Sequence, residues 1–358
     1  MITIAESNLS RRSKRLRRGM TDAVVFLEQR ETSPRVLWIH RDLLRLKKRA
    51  RHQVQYIGGL SGHMPSGLLF LTRKQILLSL ILLHGFVLRS QTLSVHWEEL
   101  TGADFLSAVK KSQGTCVLPF GIIEKHGPQL PLGTDLINVR YVSLHAAEQE
   151  YAVVFPDYYF GQIFEAKHEP GTVAYSEQLQ MELLQATTDE MARNGCKKIL
   201  IVNGHGGNNS FLPYFAQSQL ASRHDYVVYV LMHGEYPPGR PTVEDKTDMH
   251  AGESETAHTM ISRPDLVHQD RSNQESGADL KRLDLPSNVY TGIWWYARFP
   301  NHYAGNGSAA TQALGAFDMK AWTDQVANAI RAIKADTKSL QLQTEFFEKS
   351  EHPLDTRQ

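Results

Sequence analysis

The sequence predicts an α/β fold built on a mainly parallel sheet, and two patterns carry that prediction. From Leu93 onward, short apolar runs alternate with amphipathic stretches of helical period. The residues able to do chemistry cluster where those apolar runs end, as expected of a sheet whose strands share one direction. Bulk agrees: 358 residues, 41% of them hydrophobic, suffice for a substantial core in one large domain or two ordinary ones.

The strands predicted in order are 115–119, 152–155, 198–203 and 226–232. The clearest helix is 176–194, with Ser176 as N-cap, Leu179, Leu183, Leu184 and Met191 on its apolar side, and Gly195 as the stop. Further helices should begin near Asp135, Asn208 and Glu253, and a last one should cover 319–340, followed by a polar tail over 341–358.

Upstream of this pattern the chain changes character. The formal net charge is +1, yet residues 1–63 carry 14 Lys and Arg against 5 Asp and Glu, leaving 25 against 33 in the remainder. Such a basic segment could be an arm for nucleic acid or a membrane surface. It has no aromatic interleaving and no recognisable binding module, so the reading adopted is a poorly ordered extension, or the product of a mistaken start codon, and no nucleic-acid partner is expected. Met64 is followed by the order of a secretory signal: Arg73 and Lys74, then an apolar run over 76–88 broken only by Ser79, His84 and Gly85. That run is too short for a stable span of a bilayer, which takes ~20 residues. Against export, residues 88–91 lack a small-x-small cleavage pattern. Two alternatives stand: an exported protein, periplasmic or extracellular, translated from Met64, or a cytoplasmic one with an apolar internal helix. Cys116 and Cys196 lie 80 positions apart, which excludes a disulfide framework and a paired-cysteine metal site. Both are read as small buried residues, able to pair if the protein is exported.

Three segments carry chemistry. In the first, 121–135, extended backbone points residues two apart to one side, so Glu124 and His126 can converge. Glycines and prolines between them and Asp135 can fold the chain so that Asp135, at a helix start, returns to the same place. In the second, an apolar strand ends in Asn203-Gly204-His205-Gly206-Gly207-Asn208, placing His205 beyond the carboxyl end of a strand. The rival reading, a phosphate cradle at a helix N-terminus, lacks both the Lys-Ser/Thr of a nucleotide loop and the dinucleotide glycine spacing. The third is His250-Ala251-Gly252-Glu253-Ser254-Glu255-Thr256, whose carboxylates could be no more than favourable charges at a helix start. Oxygen and imidazole donors without sulfur suit a divalent metal such as Zn, Mn or Fe.

These segments, written as Leu118-Pro119-Phe120-Gly121-Ile122-Ile123-Glu124-Lys125-His126-Gly127-Pro128, Val202-Asn203-Gly204-His205-Gly206-Gly207-Asn208 and His250 to Thr256, together resemble the creatininase family, the creatinine amidohydrolase superfamily. His168-Glu169-Pro170-Gly171-Thr172 and the turn Gly305-Asn306-Gly307-Ser308 agree more weakly. The resemblance implies a three-layer α/β/α sandwich, a homo-oligomer that is often a hexamer, one or two divalent ions, and hydrolysis of a C–N bond in a small amide or cyclic amide. It assigns Glu124, His126, Asp135 and His205 as metal ligands. Creatinine-hydrolysing members also carry a glutamate where this chain has Gly207, which puts creatinine and a second ion of that type in doubt. Glu255 is the substitute ligand expected, with a catalytic role alongside. His250 is expected to deliver a proton to the leaving nitrogen, unless it only orients substrate. Trp294, Trp295 and Tyr296 either line the pocket mouth or pack in the core. Arg298 with Asn301, His302 and Tyr303 could select a polar or anionic substrate. The alternative to an enzyme is a binding protein that kept the cluster and lost turnover.

Overall fold

The structure is a computed structural model, and it describes residues 93–357. The predicted signal segment and the basic stretch therefore lie outside the described residues. The elements run α1 (Gly102–Lys111), β1 (Thr115–Phe120), α2 (Thr134–Gln149), β2 (Val153–Val154), α3 (Glu177–Arg193), β3 (Lys198–Asn203), α4 (Asn208–Ser218), β4 (Val227–Leu231), α5 (Glu253–Ser262), α6 (Trp294–Arg298), α7 (Gln312–Ala335) and α8 (Ser339–Ser350). The four strands form one parallel sheet in the order β2-β1-β3-β4.

Alternation along the central strands divides the core into two layers. Val117 of β1 with Leu200 and Val202 of β3 face Val139 and Val142 of α2 and Trp322, Val326 and Ile330 of α7. Cys116, Leu118 and Phe120 with Ile199 and Ile201 point the other way, onto Leu184 and Met191 of α3 and Leu212 and Phe215 of α4. Strands buried on both faces need continuous apolar runs, and β1 and β3, six residues each, are the longest strands among the described residues. This is the α/β/α sandwich.

Topology then chooses the site. From β1 the chain crosses to β2 on one side, then returns over α3 to β3 on the other side of β1. The direction of winding reverses between β1 and β3, and an open α/β sheet has its crevice beyond the carboxyl ends of such a pair.

Several elements differ from expectation. The last long helix begins at Gln312, where the Thr311 side chain accepts from the Leu314 amide, and it ends at Ala335. The tail predicted from 341 falls largely within α8, which buries Phe347. Helix α1, capped by Thr101, was not foreseen. The cysteines are buried as expected, but they are joined: Cys116 and Cys196 form a disulfide with Cα atoms 5.7 Å apart. Spacing alone could not show that Gly195, at φ 101°, turns the chain out of α3 and brings Cys196 beside β1.

Candidate metal centre

The loop after β1 can approach α2 because Gly121 has no side chain: a Cβ there would lie 2.4 Å from the backbone of Leu136. That approach brings Asp135, in the first turn of α2, against Glu124 and His126. His205 enters from the turn after β3. All four are buried, at 8% exposure or less.

Hydrogen bonds fix which nitrogen of each imidazole is available. A carbonyl oxygen can only accept, so a ring nitrogen bonded to one carries a proton, and in the neutral ring the lone pair lies on the other nitrogen. His126 Nδ1 donates to the Glu124 carbonyl at 3.1 Å, freeing Nε2. His205 Nε2 donates to the Gln162 carbonyl at 3.0 Å, freeing Nδ1. His250 Nε2 donates to the Lys125 carbonyl at 2.8 Å, again freeing Nδ1. Anchoring one nitrogen in this way is the usual preparation of a metal-binding histidine.

The freed nitrogens meet carboxylates. His205 Nδ1 stands 2.8 Å from Glu124 Oε1 and 2.9 Å from Asp135 Oδ2. Neither oxygen has a hydrogen-bond partner, although both are buried. His126 Nε2 is 3.1 Å from the other Asp135 oxygen, Oδ1, and 3.9 Å from Glu255 Oε2. His250 Nδ1 lies 3.8 Å from the same Glu255 oxygen. Donors held about 2.0–2.2 Å from one ion stand roughly 3 Å from each other, so this spacing fits a divalent cation, with the two Asp135 oxygens each facing a different histidine.

Electrostatics agree. Burial disfavours charge on His126, but Asp135, Glu124 and Glu255 overcome it and raise its pKa to about 10. His205 is likewise raised well above the usual value, against burial, by Glu124 and Asp135. Burial would raise Glu124, yet His205, His250 and His302 hold it well below the ordinary range. Two buried carboxylates, Glu124 and Asp135, with Glu255 beside them, call for positive charge.

Glu255, at the start of α5, is ordered by the Ala251 amide, which donates to Oε2 at 2.6 Å. Glu253 has a structural task instead, accepting from the Glu244 and Asp245 amides. Gly207 could not supply a ligand, because a Cβ there would come within 2.4 Å of His205 Nε2 and 3.0 Å of the Gln162 carbonyl. The late glycine turn matters through its neighbour Ala304, whose backbone exchanges two 3.0 Å hydrogen bonds with His250. Glu169 of the other weak motif pairs with Lys125 at 3.3 Å, in the loop that carries Glu124 and His126.

Trp294 and Trp295 line a cavity of about 360 Å³ over Glu124, His205, His250 and Glu255. It shares Gln162, Glu165, Gly207, Ser210 and Tyr290 with an outer chamber of about 780 Å³, walled by Phe164, Phe211, Ile293 and Tyr296. Arg298 does not reach either space: it pairs with Asp279 at 3.0 Å, which corrects its expected role in selecting substrate. Asn301 donates to the Ser276 carbonyl, and Tyr303 packs in a core cluster with Leu130 and Ala251. His302 is the residue whose place the sequence did not reveal. It is buried, and its Nε2 bonds the Glu124 carboxylate. Its backbone is left-handed, at φ 52°, a property that residue identity does not advertise.

Known proteins resemble this chain in sequence and fold. It is 26% identical over 196 residues to a creatinine amidohydrolase of Pseudomonas putida, covering 50% of this chain and 75% of that protein. It is 32% identical over 160 residues to a mycofactocin precursor peptide peptidase of Mycolicibacterium smegmatis, covering 43% and 60%. Among solved structures, a creatininase variant of the Zn-Zn type superposes with a TM-score of 0.56 at 23% identity, and a Mn creatininase with 0.54 at 22%; each match covers 68% of this chain and 100% of the other. A family model described as Creatininase: Creatinine amidohydrolase matches residues 98–330. With that match across most of its length, and with the sandwich beneath it, the chain belongs to the creatininase family of amidohydrolases.

Proposed function

We propose that this protein hydrolyses the C–N bond of an amide or cyclic amide with one or two divalent ions held by Glu124, His126, Asp135, His205 and Glu255. The observation that carries the reading is the division of Asp135, one carboxylate oxygen beside His126 and the other beside His205. When bound, such an ion lowers the pKa of water to about 7 and polarises a carbonyl. The protein's own groups do the rest. His250, with Nε2 committed to the Lys125 carbonyl, offers Nδ1 to take a proton from the attacking water and return it to the departing nitrogen. Glu255 faces that nitrogen and steadies the imidazolium formed between the two transfers. Trp294 and Trp295 wall the inner cavity and limit water around the reacting carbonyl.

Elemental analysis of protein purified without added metal, compared with His126→Ala, tests the site. About one or two equivalents of Zn, Mn or Fe in the wild type, lost in the variant together with turnover, is the expected result. Metal bound without turnover across a wide amide panel would favour a binding protein instead, and full activity in a metal-free variant would sink the proposal.

The outer chamber bears on substrate size. A small cyclic amide fills only the inner cavity, whereas the aromatic walls beyond it suit an apolar extension on the same substrate. Across amides of increasing apolar tail length, KM should fall while kcat stays level, and Phe211→Ala should flatten that trend. A KM independent of tail length would confine the substrate to the inner cavity.

A further inference from the structure

Position alone would make His302 a metal ligand, since a nitrogen of its ring, an oxygen of Glu124 and a nitrogen of His250 cluster closely enough to share an ion. The hydrogen-bond chain rules otherwise. The indole Nε1–H of Trp295 donates to His302 Nδ1 at 2.8 Å, and an indole nitrogen can only donate. The lone pair of His302 is therefore spent on Nδ1, and the ring keeps its proton on Nε2, the nitrogen that faces Glu124 Oε2. This inverts the pattern of His126, His205 and His250, each of which donates outward to a carbonyl and turns a lone pair inward.

We infer that His302 is a positioning residue for the metal centre: it donates Nε2–H to Glu124 Oε2, and Trp295 fixes the tautomer that lets it do so. The inference rests on the proposed metal site. Its consequence is a division of labour within one carboxylate, with Oε2 tied to His302 and Oε1 turned toward His205 Nδ1, the nitrogen that also faces Asp135 Oδ2. The backbone supports it, because a non-glycine residue at φ 52° is strained unless its surroundings hold it there, and such strain gathers at functional sites. His302 is buried at 2% exposure, between the Glu124 carboxylate and the Trp295 indole.

The test measures metal affinity by chelator competition with Zn²⁺ and Mn²⁺, beside ¹⁵N spectra of histidine-labelled protein. His302→Gly suits the left-handed backbone and removes only the side chain. It should bind metal about 10–100-fold more weakly, as loss of an outer partner of a ligand does. His302→Gln, which can still donate an N–H to Glu124, should recover part of that loss. Trp295→Phe leaves His302 in place and should give an intermediate loss, with the Nε2–H tautomer no longer dominant. A folded His302→Gly protein with wild-type metal affinity would overturn the inference. So would spectra of the wild type showing the His302 proton on Nδ1, or Nε2 bound to metal. If the wild type binds no metal at all, the metal site itself fails, and the tautomer read in metal-free protein still decides the role of His302.

Discussion

At the scale of single residues, the candidate ligands could be picked out because each sits in a short motif just after a strand or at the start of a helix. Glu124, His126, Asp135 and His205 meet in the structure as the sequence suggested, and Glu255 takes its place 3.9 Å from His126. His302 was not legible. Its partner Glu124 is 178 positions away, and nothing in Asn301-His302-Tyr303 shows that the chain turns left-handed there. Gly207 was legible as a departure, and the structure adds a reason why the departure cannot be repaired locally. A side chain at 207 would press on the nitrogen by which His205 holds the Gln162 carbonyl. Gly207→Ala should therefore weaken metal binding about 10–100-fold, through loss of the hydrogen bond that orients His205. Gly207→Glu should weaken it too, despite adding a carboxylate. Chelator competition on both variants checks this, and tighter binding by Gly207→Glu would show that the turn can yield.

At the scale of elements, the strands and the starts of α2, α3, α4 and α5 were readable, since apolar runs and cap residues are local signals. The start of α7 was not, because Gly315 interrupts the apolar pattern of Gln312 to Asp318. What fixes that turn is tertiary. Asp318 is fully buried and receives Arg240 through Nε at 2.8 Å and Nη2 at 2.6 Å, and His258 of α5 at 3.1 Å. One carboxylate thus ties the segment after β4 and helix α5 to α7. Asp318→Ala should cost roughly 2–4 kcal/mol, toward the low side for a buried pair because Arg240 is a quarter exposed. In a domain of this size that is a fall in Tm of roughly 5–10 °C, measurable by calorimetry. The sign of the pH dependence follows. Burial alone would raise the Asp318 pKa, but Arg240 and His258 overcome it and hold the carboxyl below the usual range. Its contribution is present above the unfolded-state pKa, about 4, and is lost as pH falls through the folded value. The difference in Tm between wild type and variant should shrink below pH about 4, and a difference that stays constant to lower pH would assign the stabilisation elsewhere.

At the scale of the whole molecule, the sandwich follows from two strands apolar on both faces, whereas the cross-link within it depends on a contact that no local pattern encodes. Cys116 lies in β1 and Cys196 just ahead of β3, so the disulfide closes an 80-residue span containing the ligand loop, α2, β2 and α3. Closing a loop of that length removes entropy from the unfolded chain worth about 4 kcal/mol in the chain-entropy account. Disulfides persist chiefly in oxidising compartments, and the sequence independently offers a basic pair and an apolar run after Met64 in the order of a secretory signal. We propose on these two grounds that the protein is exported and oxidised there. Mass analysis of unreduced protein recovered from the periplasm or medium should show it about 2 Da lighter than the reduced form, with no thiol open to alkylation after denaturation. The Cys116→Ala, Cys196→Ala double variant should melt lower yet bind metal as the wild type does, because both cysteines pack in the layer of Leu118, Leu184 and Met191, which contains none of the candidate ligands. Retention of residues 64–358 in the cytoplasm, with both thiols free, would remove the argument for export and leave the cysteines as packing residues.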